Sequence, residues 1–176
     1  GPRIAFIGAD YNYCRTIGEW AVVAANLNGG ELVMQEYYPF SVSQWSSTIN
    51  RIQSLAPDFQ VHCLVGANHT EFYPQAKSAG LDIPVWSNVT VEDGYEHIRF
   101  SPPVLANMFT PPSYLEEVPG EQSDRFLNRI RERFDDAGYI TEHTVFAYLS
   151  VKAMAIAWER AGTDDTETVI DALEQG

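Results

Sequence analysis

The hydrophobic positions of this chain fall into short runs separated by helical stripes. Ile4, Ala5, Phe6 and Ile7 form one continuous apolar run, which suits a parallel strand covered on both faces. Gly8 ends it, and a helix is expected from near Arg15, where Ile17, Trp20, Ala21, Ala24 and Leu27 recur at helical spacing. Gly29-Gly30 closes that helix in the manner of a left-handed cap. Glu31–Tyr38 reads as a second strand, and Pro39 with the serines after it as a loop. Trp45, Ile49 and Ile52 mark a second helix, stopped by Pro57. A third strand is expected over Phe59–Val65, ended by Gly66, then a helix over Thr70–Ala79 ended by Gly80. Ile83–Trp86 reads as a fourth strand, followed by Ser87-Asn88-Val89-Thr90.

Strand and helix alternate with short connections. The pattern implies right-handed crossovers and an α/β fold, a three-layer parallel sheet with helices on both faces. In such sheets ligands bind just past the carboxyl ends of the strands. Three strand ends are therefore expected to line one crevice: Gly8–Tyr13, Gly66–His69 and Ser87–Thr90. Val91–Ser101 has no clear period, and Val104–Thr110 reads as one more strand before Pro111-Pro112 breaks it.

Beyond that break the pattern becomes helical. Phe126, Leu127, Ile130 and Phe134 mark one helix, Thr141–Ala161 a longer one ending at Gly162, and Thr166–Glu174 a third. The Thr141–Ala161 stretch is apolar on nearly every side, from Val145 to Trp158. A helix of that kind needs partners all round. Association of copies through this segment is therefore expected.

Composition narrows the partners. The 176 residues, 45% hydrophobic, suffice for one large domain or two small ones. A net charge of −13 argues against nucleic acid and anionic membranes, whose phosphates require Lys and Arg. No apolar stretch is long enough to insert in a membrane. Gly1-Pro2 reads as a protease-cleavage remnant, and a buried strand directly after it suggests a cut within a longer protein.

The candidate chemistry is concentrated after the first strand. Tyr11 and Tyr13 offer apolar rings and hydroxyls that both donate and accept. In an extended turn both rings face the crevice; the alternative is that they pack on neighbouring helices. Asp10 is expected to cap the following turn. Gly66 either permits close backbone approach or serves as a plain turn glycine. Cys63 reads as a core residue. Cys14, beside Arg15 at a helix start, is either structural or a reactive thiol, and with His97 it defines an enzyme alternative. The four histidines lack metal-ligand spacing, no phosphate loop occurs, and no cofactor is expected. Asn68-His69-Thr70 and Asn88-Val89-Thr90 match the glycosylation acceptor pattern.

The segments FIGADYNYCR, NGGELVMQEYYPF, LVGANHTEFY and SYLEEVPGEQSDRFLNRIRERF occur in a familiar order. The chain resembles the type I periplasmic binding proteins of branched-chain amino acid type, and within them the branch that binds urea and short aliphatic amides. That branch includes ABC-transporter receptors and a cytoplasmic amide-sensing regulator. A strand ending in glycine, then Asp-Tyr, one residue, Tyr, another residue and Arg is typical of it, here Gly8, Asp10, Tyr11, Tyr13 and Arg15; Cys14 stands where the family often has proline. The resemblance implies two lobes with a solute trapped between them. Residues 3–110 correspond to most of the second lobe, and 111–176 to a crossover and helices of a partial first lobe. It implies a solute-binding protein, not an enzyme, whose ligand is a small polar solute such as urea, a short-chain amide or an amino acid. The implied site residues are Asp10, Tyr11, Tyr13, Gly66, Ala67, Asn68, Asn88 and Thr90. The implied partners are ABC-transporter membrane subunits and the implied location is periplasmic; the sensor alternative is cytoplasmic with a protein partner.

Overall fold

The computed structural model describes residues 1–89 and 95–175. The chain divides into two compact units, Gly1–Ser113 and Tyr114–Gly176. The first contains β1 (Arg3–Ala9), α1 (Asn12–Leu27), β2 (Glu31–Tyr38), α2 (Ser46–Leu55), β3 (Phe59–Cys63), α3 (Ala67–Ser78), β4 (Val85–Ser87), α4 (Glu96–Arg99) and β5 (Met108–Phe109). The five strands form one sheet in the order β2-β1-β3-β4-β5, and every neighbouring pair is parallel.

The sheet is covered on both faces, as the apolar run of β1 requires. Successive strand residues point to opposite faces. Ala5 and Ile7 join Met34, Trp45, Ile49, Ile52, Leu64 and Phe72 in one core cluster, which α2 and α3 cover. Phe6 joins Cys14, Cys63 and Val89 in the other, with Ile17 and Ala21 of α1 packed against it. Burying a side chain of the size of Phe6 or Ile7 contributes roughly 1.5–3 kcal/mol.

A disulfide links Cys14 in the first turn of α1 to Cys63 at the end of β3, with Cα atoms 5.4 Å apart. This corrects two readings of the sequence. Cys63 is not a plain core residue, and Cys14 carries no thiol, which removes the thiol-dependent enzyme built on Cys14 and His97. Spacing along the chain could not reveal the pair, because 49 residues separate its members and only the placing of β3 beside β1 brings them together.

Several boundaries differ from the sequence pattern: β1 runs to Ala9, α1 begins at Asn12 rather than near Arg15, and β4 is Val85–Ser87 rather than Ile83–Trp86. β3 stops at Cys63 rather than Val65, and α3 begins at Ala67 rather than Thr70. The strand expected over 104–110 shrinks to Met108–Phe109. Pro102 and Pro103 have no N–H to donate to a ladder, and the chain turns there instead, with Val104 N bonded to Ser101 O and Ala106 N to Pro103 O. Val104 and Leu105 still pack on the α2/α3 core.

The second unit contains α5 (Glu121–Arg133), α6 (Glu142–Ala161) and α7 (Thr166–Glu174). α6 ends at Gly162 in the left-handed conformation. Asp165 caps α7, accepting from Thr168 N at 3.1 Å and Thr168 Oγ1 at 2.7 Å. Only Glu142 and Ala157 of α6 are buried, while Phe146, Leu149, Val151, Ile156 and Trp158 are exposed. No helix among the described residues is long and apolar enough to cross a membrane.

The disulfide closes a large loop of the unfolded chain. In the chain-entropy model a loop of this size is worth about 4 kcal/mol. Reduction is expected to lower the urea midpoint of the first unit by a corresponding amount, and thiol titration of the unreduced, denatured protein should find no free cysteine.

Candidate functional site

The strand order reverses at β1 and β3: the connection after β1 leads to β2 on one side, and the connection after β2 returns to β3 on the other. A crevice opens at such a switch point beyond the carboxyl ends of the strands. At that edge lie the β1–α1 turn, the loop after β2, the β3–α3 turn and, after β4, Asn88 and Val89.

The β1–α1 turn presents two tyrosines. Tyr11 is extended at the N-cap of α1, and Tyr13 already lies in the helix. The turn is thus not extended through both residues, yet their rings meet with centroids 6.0 Å apart. The Tyr11 ring also lies 5.5 Å from that of Phe40 in the loop after β2. Phe40 and Tyr13 are about half exposed, at 50% and 45%. Asn88, just after β4, donates from Nδ2 to the Tyr13 hydroxyl at 3.0 Å. Three loops therefore meet around one aromatic cluster.

Asp10 does not cap the helix; no side-chain bond caps α1. Its carboxylate accepts from Arg15 Nε at 2.8 Å and pairs with Arg15 Nη2 at 2.6 Å. The Arg15 guanidinium also lies 4.7 Å from the centre of the Tyr37 ring. The one acid and one base of this turn thus neutralise each other. The other expected site groups are uncharged.

Gly66 has φ 58° and ψ −129°, a conformation open essentially to glycine alone. A Cβ there would meet nothing within 4 Å. The residue is set by the turn, and Gly66 and Ala67 are exposed above it. Asn68, in contrast, is fully buried, and its Nδ2 faces the carbonyls of Pro39, Phe40 and Val42 at 3.4, 3.4 and 3.1 Å. Its side chain supports the neighbouring loop, and the Asn68 acceptor nitrogen of the glycosylation triplet is inaccessible in the folded chain. Thr90 lies outside the described residues. The structure thus gathers Tyr11, Tyr13 and Asn88 directly. It adds Phe40, which sequence reading passed over although an aromatic after Tyr37-Tyr38-Pro39, at a strand end, was a usable signal.

A model of the family described as "Periplasmic binding protein" matches residues 1–176. The chain belongs to the periplasmic binding protein family. No curated protein matches it significantly. Among solved structures, an ABC transporter substrate-binding protein from Sphaerobacter thermophilus is 17% identical with a TM-score of 0.83, covering 98% of this chain and 48% of that one. An ABC transporter solute binding protein from R. palustris, in complex with 4-hydroxybenzoate, is 18% identical with a TM-score of 0.82, covering 97% and 48%. A branched chain amino acid ABC transporter periplasmic ligand-binding protein from Burkholderia xenovorans is 16% identical with a TM-score of 0.80, covering 99% and 46%. The chain spans just under half the length of these structures.

The chain also carries a buried polar cluster on β3, α3 and α4. His69 Nδ1 lies 2.8 Å from Glu96 Oε1, with both side chains buried. Glu96-His97 therefore offers no exposed acid-base pair, since Glu96 is turned inward to α3. His62 is fully buried, with Nδ1 3.3 Å from the Tyr73 hydroxyl and Nε2 3.2 Å from Gln60 Oε1. A neutral ring with its proton on Nε2 satisfies both contacts, donating to Gln60 and accepting from Tyr73. Burial, and then the proximity of His69, lower the His62 pKa from 6.5 to about 3.

His62 is neutral in the folded chain where the unfolded chain would protonate it. Unfolding therefore takes up a proton between pH 6.5 and 3, so stability is complete above this window and falls on acidification. The slope is at most about 1.4 kcal/mol per pH unit for this one group. Urea midpoints measured between neutral and mildly acidic pH should fall, and His62→Gln should flatten the profile relative to the parent.

Proposed function

We propose that this chain forms one wall of a solute site in the binding component of an ABC-type transporter, not an enzyme. The solute is small and polar: urea, a short-chain amide or an amino acid. The observation that carries the reading is the convergence of Tyr11, Tyr13 and Asn88 at the strand-order switch point. Hydroxyls, a side-chain amide and the exposed main chain at Gly66 and Ala67 suit a neutral solute that needs donors and acceptors but no counter-charge. Among the described site residues, Asp10 is the carboxylate that an amino acid's ammonium would seek, and Arg15 already occupies it. That favours an amide or urea over an amino acid. Thr90 and the main chain around Asn68 belong to the same proposed wall.

The family and the fold support this reading, as do the solved neighbours described as ABC-transporter binding proteins. The proposed partners are transporter membrane subunits, and the proposed location is the periplasm. The Cys14–Cys63 disulfide favours this over the cytoplasmic sensor alternative, because such bonds persist in oxidising compartments.

The test is a calorimetric titration with urea, acetamide and leucine. One wall alone leaves the solute wet, so weak binding is expected of this chain, and tight binding only where a second lobe closes over it. In the two-lobed protein Tyr11→Phe should weaken binding by tenfold or less, the loss of one neutral hydrogen bond at about 0.5–1.5 kcal/mol. Tyr11→Ala should cost more, through lost packing. Unchanged affinity with both tyrosines replaced by alanine would overturn the site.

The same reading includes self-association of the chain. The exposed Phe146, Leu149, Val151, Ile156 and Trp158 of α6 form more apolar surface than a solvated helix usually carries. Light scattering at high micromolar concentration should detect a dimer or larger species, and Val151→Asp with Trp158→Asp should shift it toward monomer. A clean monomer of the parent chain would refute this.

A further inference from the structure

The loop between β2 and α2 is held by side-chain amides of α3. Asn68 directs Nδ2 at three of its carbonyls, and an amide has only two hydrogens, so Val42 O at 3.1 Å is the best served and Pro39 O and Phe40 O share the remainder. Two turns along α3, Gln75 donates from Nε2 to Ser43 O at 2.8 Å, and its Oε1 accepts from Trp45 N at 3.0 Å. Trp45 itself is buried in the core against Phe72 and Tyr38. The far end of the loop is thus anchored by Trp45 and Gln75 without any help from Asn68.

The fully buried Asn68 amide holds the carbonyls on either side of Phe40, most closely that of Val42. The loop does not use this aromatic to fill the core. Phe40 stays half exposed with its ring against Tyr11, which in turn meets Tyr13. Leaving a large apolar ring in water forgoes much of the roughly 1.5–3 kcal/mol its burial would contribute. A buried amide thus holds the loop so that an exposed ring stands beside two others, tilted by 47° and 38° from ring to ring, and leaves an aromatic face open to a ring of a solute.

We propose that Phe40 is a specificity-determining residue of the solute site and Asn68 its positioning residue, and that the preferred solutes carry a planar apolar group beside their amide. This rests on the reading of the crevice as an amide site. It separates within that class: urea and acetamide meet only the polar end, whereas an aryl amide also brings a ring against Phe40.

Acetamide and benzamide share a head group and differ in the ring. The chain, labelled with ¹³C at Phe and Tyr, is titrated with each while the aromatic resonances of Tyr11, Tyr13 and Phe40 are followed. Benzamide is expected to bind about fivefold or more tighter, the yield of one good ring contact. Phe40→Ala should abolish that preference, bringing the ratio of benzamide to acetamide affinity to about one, while Phe40→Tyr retains it. Asn68→Ser should reduce the ratio of benzamide to acetamide affinity. Phe40→Ala, at a half-exposed position, carries the test alone if the Asn68 variant does not fold. Equal binding of the two amides, or an unchanged preference in Phe40→Ala, overturns the role of Phe40 and leaves the amide site standing. Failure of both amides to shift Tyr11 and Tyr13 overturns the amide site, and this inference with it.

Discussion

The structure depends on the burial of β1 on both faces. Every residue of that strand after Arg3 is buried, and a strand in that position must be covered from above and below. The chain meets this by placing α1 on one face and α2 and α3 on the other. To do so it extends the sheet first to one side of β1 and then to the other. The reversal of strand order between β1 and β3 is therefore a consequence of the apolar run Ile4–Ile7, and the crevice above it is a consequence of the reversal. The site is located by the core.

Much of this was legible in the sequence because it is written in local patterns. β2 and α7 have the boundaries their residues predict, since a turn signal closes each. The two-faced sheet follows from continuous apolar runs separated by helical stripes. Features that depend on which strands become neighbours were not legible. The Cys14–Cys63 bond exists because β3 lies beside β1, and no spacing along the chain encodes that. The short β5 is a second case: Val104–Thr110 is apolar enough for a strand, but two prolines divert the chain into a turn that buries the same side chains differently.

The candidate site divides in the same way. Tyr11 and Tyr13 stood out as residues at a strand end, and their rings do meet, though through an N-cap and a first helical turn rather than an extended segment. Asn88 reaches Tyr13 from a loop 75 residues away. Asp10 and Asn68 show the limit of reading residue types. Each has the chemistry of a ligand contact, and each is engaged by a protein partner, Asp10 by Arg15 and Asn68 by the carbonyls after β2. Phe40 went unremarked because loop residues are read for their turn chemistry and not for what another loop aims at them.

The buried position of Asn68 has a consequence for how this chain can be produced. Asn68-His69-Thr70 is an acceptor triplet for oligosaccharyl transfer, and that reaction acts on a nascent polypeptide before its folds close. A sugar attached there would occupy the nitrogen that faces Val42 O, in a space with no exposed surface. In a eukaryotic secretory host, occupancy of the sequon and native packing of the loop are mutually exclusive. Material from such a host would divide into an unglycosylated population that matures and a glycosylated one that quality control retains.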